Sequence, residues 1–186
     1  MLTSETELLQ QAQRFEAEAL GEIYDRYSPA LYRYALRLVG QPDVAEECVA
    51  ETFSRFLLAL RNGGGPAAQL QAYLYRVAHN WITDQWRRQP PPPMALEEDL
   101  CAGVEADPAA SAAQQAEQAQ VRAALARLTP DQRQVVTLRF LEEWDTAAIA
   151  AALNRPAGAV KALQHRALMT LRRLLFKEGE ELHETV

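Results

Sequence analysis

Lys161, His165 and Arg166 fall at positions that a helix would place off its apolar stripe, within an acid-free stretch from 146 to 177 that also holds Arg155, Arg172, Arg173 and Lys177. Basic side chains so arranged suit phosphate neutralisation and the reading of guanine edges, and the nearby Gln164 amide suits adenine. A second group mixes rings with bases: between Leu70 and Arg88, the residues Tyr73, Tyr75, Trp81 and Trp86 alternate with Arg76, Asn80, Arg87 and Arg88. Exposed rings stack on unpaired bases for about 1 to 3 kcal/mol each, while guanidinium groups hold the backbone. Tyr73 and Trp81 lie on the apolar stripe and read as core; Tyr75 and Trp86 fall off it and read as surface.

Catalytic chemistry finds no comparable set. There is no Gly-rich phosphate loop at the required spacing, no His/Glu pair on one helical face and no nucleophile motif, and the histidines at 79, 165 and 183 are scattered. The chain is therefore expected not to be an enzyme. Cys48 and Cys101 are far apart and lack neighbouring ligand pairs, so neither a disulfide framework nor a metal site is expected, and no cofactor is called for.

Helices must position these groups. The 186 residues are 48% hydrophobic, and the apolar positions recur at helical spacing with no competing strand pattern, so the expected fold is all-α. One face runs through Leu8, Ala12, Phe15, Ala19, Ile23 and Tyr27, and Ser28–Pro29 offers a cap and first position for a second helix. Gly40 is placed to end that helix. Asp43 and Glu46 stand at capping-box spacing before a stripe through Val49, Phe53, Phe56 and Leu60, which Asn62 and the glycines to Pro66 stop. A fourth helix runs from Leu70 to about Arg88. Pro90 to Pro93 cannot continue it, and the acidic segment to about 120 reads as a flexible tether.

Beyond the tether, Thr129–Pro130 opens a helix, Thr146 can cap a short alanine-rich one, and Asn154 to Gly158 make a turn before the basic helix. Asn154 tolerates a left-handed turn conformation. A small helix, a short turn and a basic helix match a helix-turn-helix, whose second helix enters the major groove. The expected organisation is a helical domain over 1–89, a linker over 90–120, a helix-turn-helix domain over 121–178 and an acidic tail over 179–186.

The net charge of −6 is unevenly distributed: residues 90 to 120 hold six acids and no base, while 121 to 186 hold ten bases and eight acids. The acidic total conceals a local basic surface. No stretch approaches the roughly 18 to 20 apolar residues of a membrane span, and no basic-then-apolar leader opens the chain, so a cytoplasmic protein without membrane insertion is expected.

These segments carry a family resemblance. DVAEECVAETFSRF at 43–56 resembles region 2.2 of the sigma-70 family, and AYLYRVAHNWITDQWRR at 72–88 resembles regions 2.3 to 2.4. Residues 124 to 175, with LTPDQR and AVKALQHRAL, are similar to region 4. Two blocks in this order, with no housekeeping-type region between them, resemble the compact extracytoplasmic-function (ECF) group. Ala50, Phe56 and Asn154 depart from the usual Gln, Trp and Gly of the family.

The resemblance implies a sigma factor that binds RNA polymerase core, through the clamp helices and the flap, and directs it to promoter DNA, with an anti-sigma factor as a further partner. It implies a core-polymerase-binding helix with Asp43, Glu46, Glu47, Glu51, Thr52 and Arg55. It implies minus-10 contacts from Asn62, Tyr75, Arg76, Asn80, Asp84, Trp86, Arg87 and Arg88, with base capture by the loop at 62 to 66. Minus-35 contacts fall to Arg155, Lys161, Gln164, His165 and Arg166. The competing reading is a conventional helix-turn-helix repressor or activator that works without polymerase.

Overall fold

The computed structural model describes residues 4–88 and 108–181, and the side chains of 4–88 and 114–175. Among these residues there are eight α-helices and no strand. In the first half they are α1 (Glu5–Gln13), α2 (Ala17–Val39), α3 (Pro42–Arg61) and α4 (Leu70–Arg88). In the second they are α5 (Pro108–Ala126), α6 (Pro130–Phe140), α7 (Thr146–Leu153) and α8 (Ala157–Glu181). The all-α architecture matches the expectation from periodicity.

Helix boundaries and caps differ from the expectation in five places. The first break falls at Arg14–Glu16, where Phe15 takes a left-handed φ of 58°, and α2 then runs unbroken through Pro29. Its buried stripe of Ala19, Ile23, Tyr27, Leu31, Tyr34, Ala35 and Leu38 keeps helical phase across the proline. Packing on one side therefore outweighs the local N-cap signal of Ser28–Pro29. Pro29 itself is exposed, where the unpaired Asp25 carbonyl can be hydrated. Gly40 ends α2 at φ 74°, as its position predicts.

The expected capping box of Asp43 and Glu46 is absent, because Gln41 is the N-cap and Pro42 takes the first turn. Asp43 is left to favour the helix N-terminus by its charge. Likewise Asp145, not Thr146, caps α7, its carboxylate accepting from the Ala148 N–H at 2.7 Å. Thr129 does cap α6, in a reciprocal box with Gln132.

The remaining differences concern the tether and the tail. Residues 108 to 120 belong to α5, opened by Pro108 and rich in alanine and glutamine, whose helix propensity a reading based on missing aromatics undervalues. Residues 89 to 107, with the Pro90–Pro93 run and Cys101, lie outside the described residues. At the other end, 179 to 181 extend α8, and 182 to 186 are outside the description.

In the first half α2, α3 and α4 pack side by side around Leu31, Tyr34, Phe56, Leu74 and Ile82, and α1 lies across them. Glu5 joins three elements, accepting from the Tyr27 hydroxyl at 3.0 Å and the Leu70 N–H at 3.1 Å. A carboxylate on α1 thereby satisfies a donor at the start of α4. In the second half α6 and α7 pack on α8 through Val135, Leu138, Ile149, Val160 and Ala167.

The two halves touch. Helix α4 packs against α7 and α6, and α5 reaches α2.

Candidate nucleic-acid interface

The turn between α7 and α8 is built on Asn154, at φ 53° and ψ 48°, whose N–H closes the last turn of α7. Val160 and Ala167 are fully buried beneath α8, which turns Lys161, His165 and Arg166 outward as exposed side chains. Gln164 is half-buried at the edge of the apolar stripe, as its spacing predicts. Arg155 is exposed but its guanidinium pairs with Asp131 at the start of α6, so part of its charge is already answered within the fold. Arg172 and Arg173 extend the exposed basic face one turn further.

On α4 the outward residues are Asn80, Arg87 and Arg88, with Arg76 and Asp84 half-buried. Arg76 lies over the Tyr73 ring at 5.5 Å, and Arg87 is 3.5 Å from Asp84. Asn62 is exposed at the end of α3, followed by Gly63 and Gly65 at φ 70° and 96°. Trp81 is core, as its place on the stripe predicts, while Tyr73 is half-buried beside Phe56.

Tyr75 and Trp86 are not the free surface rings expected from their positions. Tyr75 is only 1% exposed, with the Trp144 ring 4.8 Å away, and the Arg133 guanidinium sits 3.7 Å above the Trp86 ring. Both lie off the main apolar stripe, although Tyr75 also meets the Tyr34 ring of α2 at 5.0 Å. They face a second partner, the C-terminal half, which single-helix periodicity does not reveal.

Helix α3 presents Asp43, Glu46 and Glu47 as exposed carboxylates, and Arg55 pairs with Glu51 at 2.7 Å. Thr52 departs from the expected partner-facing set: it is fully buried and donates its hydroxyl to the Cys48 carbonyl at 2.7 Å. On the same helix lie exposed Leu57 and Leu58, and Tyr24, also exposed, packs against Phe53 with ring centroids 4.8 Å apart and planes tilted by 53°. This acidic and apolar face was only half legible, because exposed leucines at consecutive positions carry no periodic signal. In the second half Val121, Val136, Phe140, Leu168 and Leu175 line an apolar groove of about 230 Å³.

The junction between halves is polar, and several side chains pair across it, although Thr83 Oγ1 and one Arg133 nitrogen are buried without a hydrogen-bond partner. Glu142, in the turn before α7, accepts from Tyr75 at 3.0 Å and from Arg37 at 2.8 Å, and Arg37 also donates to the Leu141 carbonyl at 2.7 Å. His79 is buried with both ring nitrogens engaged, Nδ1 at 2.8 Å from the Tyr34 hydroxyl and Nε2 at 2.9 Å from the Pro130 carbonyl. A carbonyl only accepts, so Nε2 carries the proton and Nδ1 accepts from Tyr34. Burial, and then the charge of Arg133, push the His79 pKa down to about 3, against an upward pull from the Pro130 carbonyl. Burial and then Glu142 raise Tyr75 and keep its phenol protonated.

Arg133 donates to the carbonyls of Leu125, Ala126 and Leu128 at 2.9, 3.1 and 3.0 Å, tying the end of α5 to α6. Burial lowers its pKa to about 10, which leaves it charged at neutral pH. None of Arg37, His79, Arg133, Glu142 or Trp144 was singled out by sequence pattern. Among the described residues, no group of three or more His, Cys, Asp or Glu is placed to hold a metal, and no helix is long and apolar enough to cross a membrane.

The faces on α3, α4 and α8 coincide with two family matches. Residues 23–90 match sigma-70 region 2, and residues 118–171 match sigma-70 region 4. The chain is 37% identical over 174 residues to the ECF RNA polymerase sigma factor BldN of Streptomyces coelicolor, covering 91% of this chain and 65% of that protein. It is 31% identical over 164 residues to the ECF RNA polymerase sigma factor SigL of Mycobacterium tuberculosis, covering 88% and 93%. In fold it resembles CnrH, solved in complex with the cytosolic domain of CnrY, with a TM-score of 0.67 at 24% identity over 91% of this chain and 96% of that one. It also resembles RpoE of Bartonella quintana, solved with the anti-sigma factor NepR, with a TM-score of 0.56 at 21% identity over 83% and 95%. With both regions present in order, and with SigL matched across nearly its whole length, the chain belongs to the sigma-70 family of RNA polymerase sigma factors, in the ECF group.

Proposed function

We propose that this chain binds RNA polymerase core and directs promoter-specific initiation, with no catalytic chemistry of its own. The observation that carries this reading is the pairing of region 2 and region 4 on one chain, each presenting an exposed polar helix face, on α4 and on α8.

In this reading the face of α3 with Asp43, Glu46, Glu47, Glu51 and Arg55 binds the polymerase clamp, and Leu57, Leu58 and Tyr24 supply its apolar contact. Thr52, being internal, supports the helix without touching the partner. Arg76, Asn80, Arg87 and Arg88 meet minus-10 DNA, and Asn62 stands at the loop that receives an unpaired base. Asp84 restrains Arg87 instead of touching phosphate, because a carboxylate is repelled there. Lys161, Gln164, His165 and Arg166 meet the minus-35 major groove, with Arg155 supporting them beside Asp131. The groove between α5, α6 and α8 takes the polymerase flap.

The chain's net charge of −6 favours this division of labour, because an acidic protein with a narrow basic face binds duplex DNA weakly unless a partner holds it there. Cytoplasmic action follows from that partnership. An anti-sigma factor is proposed as its regulator, in keeping with the NepR complex of the Bartonella quintana relative.

The test is reconstitution with purified core polymerase on promoters from the source genome. Promoter-specific transcripts that require the chain support the reading. Tight operator binding without polymerase, and no transcripts with it, would replace it with a conventional helix-turn-helix regulator.

A further inference from the structure

The face of α4 that carries Tyr75 and Trp86 is covered by the second half of the same chain. Five contacts make the cover: Tyr75 and Arg37 on Glu142, Tyr75 on Trp144, Arg133 on Trp86, and His79 on the Pro130 carbonyl. Every one joins a residue of the first half to a residue of the second. We propose that this junction is a closed state that covers the Tyr75 and Trp86 face of α4, and that protonation of His79 opens it.

The geometry explains why a proton would act here. His79 is 1% exposed and spans the junction, with Tyr34 behind it and Pro130 in front. As a neutral ring it satisfies both neighbours. A second proton on Nδ1 would turn the Tyr34 oxygen into an acceptor and strand the phenol hydrogen in the core.

Nor does any neighbour compensate the charge. Around the Tyr34–His79 pair stand Cys48 of α3, Tyr75 of α4, Arg133 of α6 and Glu142 before α7, with Arg37 of α2 behind Glu142. Cys48 and Tyr75 stay neutral, burial raising both. Arg133 is a like charge, and Glu142 is already held by Arg37 and Tyr75. Helix α7, which packs on α4, has no titratable side chain from Thr146 to Leu153.

The direction follows from linkage. In the closed state the His79 pKa is near 3, and on separation it returns towards its ordinary 6.5. The open state binds more protons, so closure holds above pH 6.5 and weakens as pH falls below it. Between about pH 7.5 and about pH 5.5 the ratio of open to closed chain should rise about tenfold.

A role in meeting DNA for the uncovered Tyr75 and Trp86 rings rests on the proposed function; the opening itself does not, and its assay contains neither DNA nor polymerase. The full chain carries Cys101→Ser, with donor and acceptor dyes at Glu18→Cys on α2 and Met169→Cys on α8, both exposed sites. Cys48 is fully buried, with its pKa pushed up to about 12, and remains unlabelled.

The expected result is a loss of energy transfer on acidification in the parent, and less than about a twofold change in His79→Gln, whose neutral amide does not titrate in this range. Equal pH dependence in both would overturn the proposal, as would a parent that stays closed. Should His79→Gln not fold, proton NMR of the unsubstituted chain decides: His79 must titrate well below the ordinary imidazole value of 6.5. Titration at the ordinary value while the halves remain together would also overturn it. If opening occurs as expected while promoter-specific transcription fails, only the functional reading falls.

Discussion

The Tyr75 hydroxyl donates to Glu142 at 3.0 Å across the junction of the two halves, where Arg37 holds the same carboxylate from the other side. The three residues come from α4, the turn after α6, and α2. Glu142 is 12% exposed, so its charge is shielded from water more than that of a surface ion pair.

Removing one donor tests the strength of the closure. Tyr75→Phe keeps the ring packed on Trp144 and deletes only the hydroxyl, so closure should weaken by about 1 to 2 kcal/mol, a hydrogen bond to a charged acceptor that retains Arg37. Glu142→Gln should weaken it comparably by removing the Arg37 pairing. Energy transfer between the two halves measures both, and a double variant no worse than either single one would show that the residues act as a unit.

The fold was legible wherever one apolar stripe met one partner. Helices α3 and α6, the ends at Gly40 and Asn62, and the left-handed Asn154 all follow from local spacing and cap chemistry. Tyr75 and Trp86 show where that logic stops. A helix packed on two sides buries residues off its main stripe, and from sequence those look like free surface. The Pro29 break failed for a related reason, because a continuous buried stripe across it outweighs the local proline signal. His79 and Arg133 had no signal of their own; each matters because the tertiary fold brings backbone carbonyls to it.

Arg133 should be a stability residue before anything else. Its guanidinium reaches three carbonyls near the end of α5 and covers Trp86, and an ammonium cannot reproduce that planar fork. Arg133→Ala is expected to destabilise the chain by about 3 kcal/mol, since the buried carbonyls lose their donor, and Arg133→Lys to recover less than half. Denaturant unfolding, with m-values compared, measures the effect. Full recovery by lysine would show that charge alone matters there.

On the DNA-facing side, Lys161 and Arg166 are exposed on the same helix but should behave differently. If Arg166 grips a guanine through both nitrogens, Arg166→Ala should cost about 1 to 3 kcal/mol and relax preference at one base pair. Lys161→Ala, if it only neutralises phosphate, should weaken all sequences alike and reduce the salt slope by about 1. Holoenzyme binding to a panel of minus-35 variants, repeated across salt concentrations, separates the two.

Asn154 gives the last prediction, because its backbone at φ 53° and ψ 48° is one that most side chains avoid. Asparagine accepts this conformation better than alanine does, and its N–H closes the end of α7. Asn154→Ala should therefore cost about 1 kcal/mol, with no polar contact to α8 needed to explain it. Asn154→Gly relieves the backbone but loosens the unfolded chain, two effects of opposite sign, so the net change should stay within about 0.5 kcal/mol. Thermal unfolding of the three proteins gives the ordering. Alanine matching asparagine would mean that the turn is free to adopt another conformation, and the outward aim of Lys161 and Arg166 would then depend on the packing of Val160 and Ala167 alone.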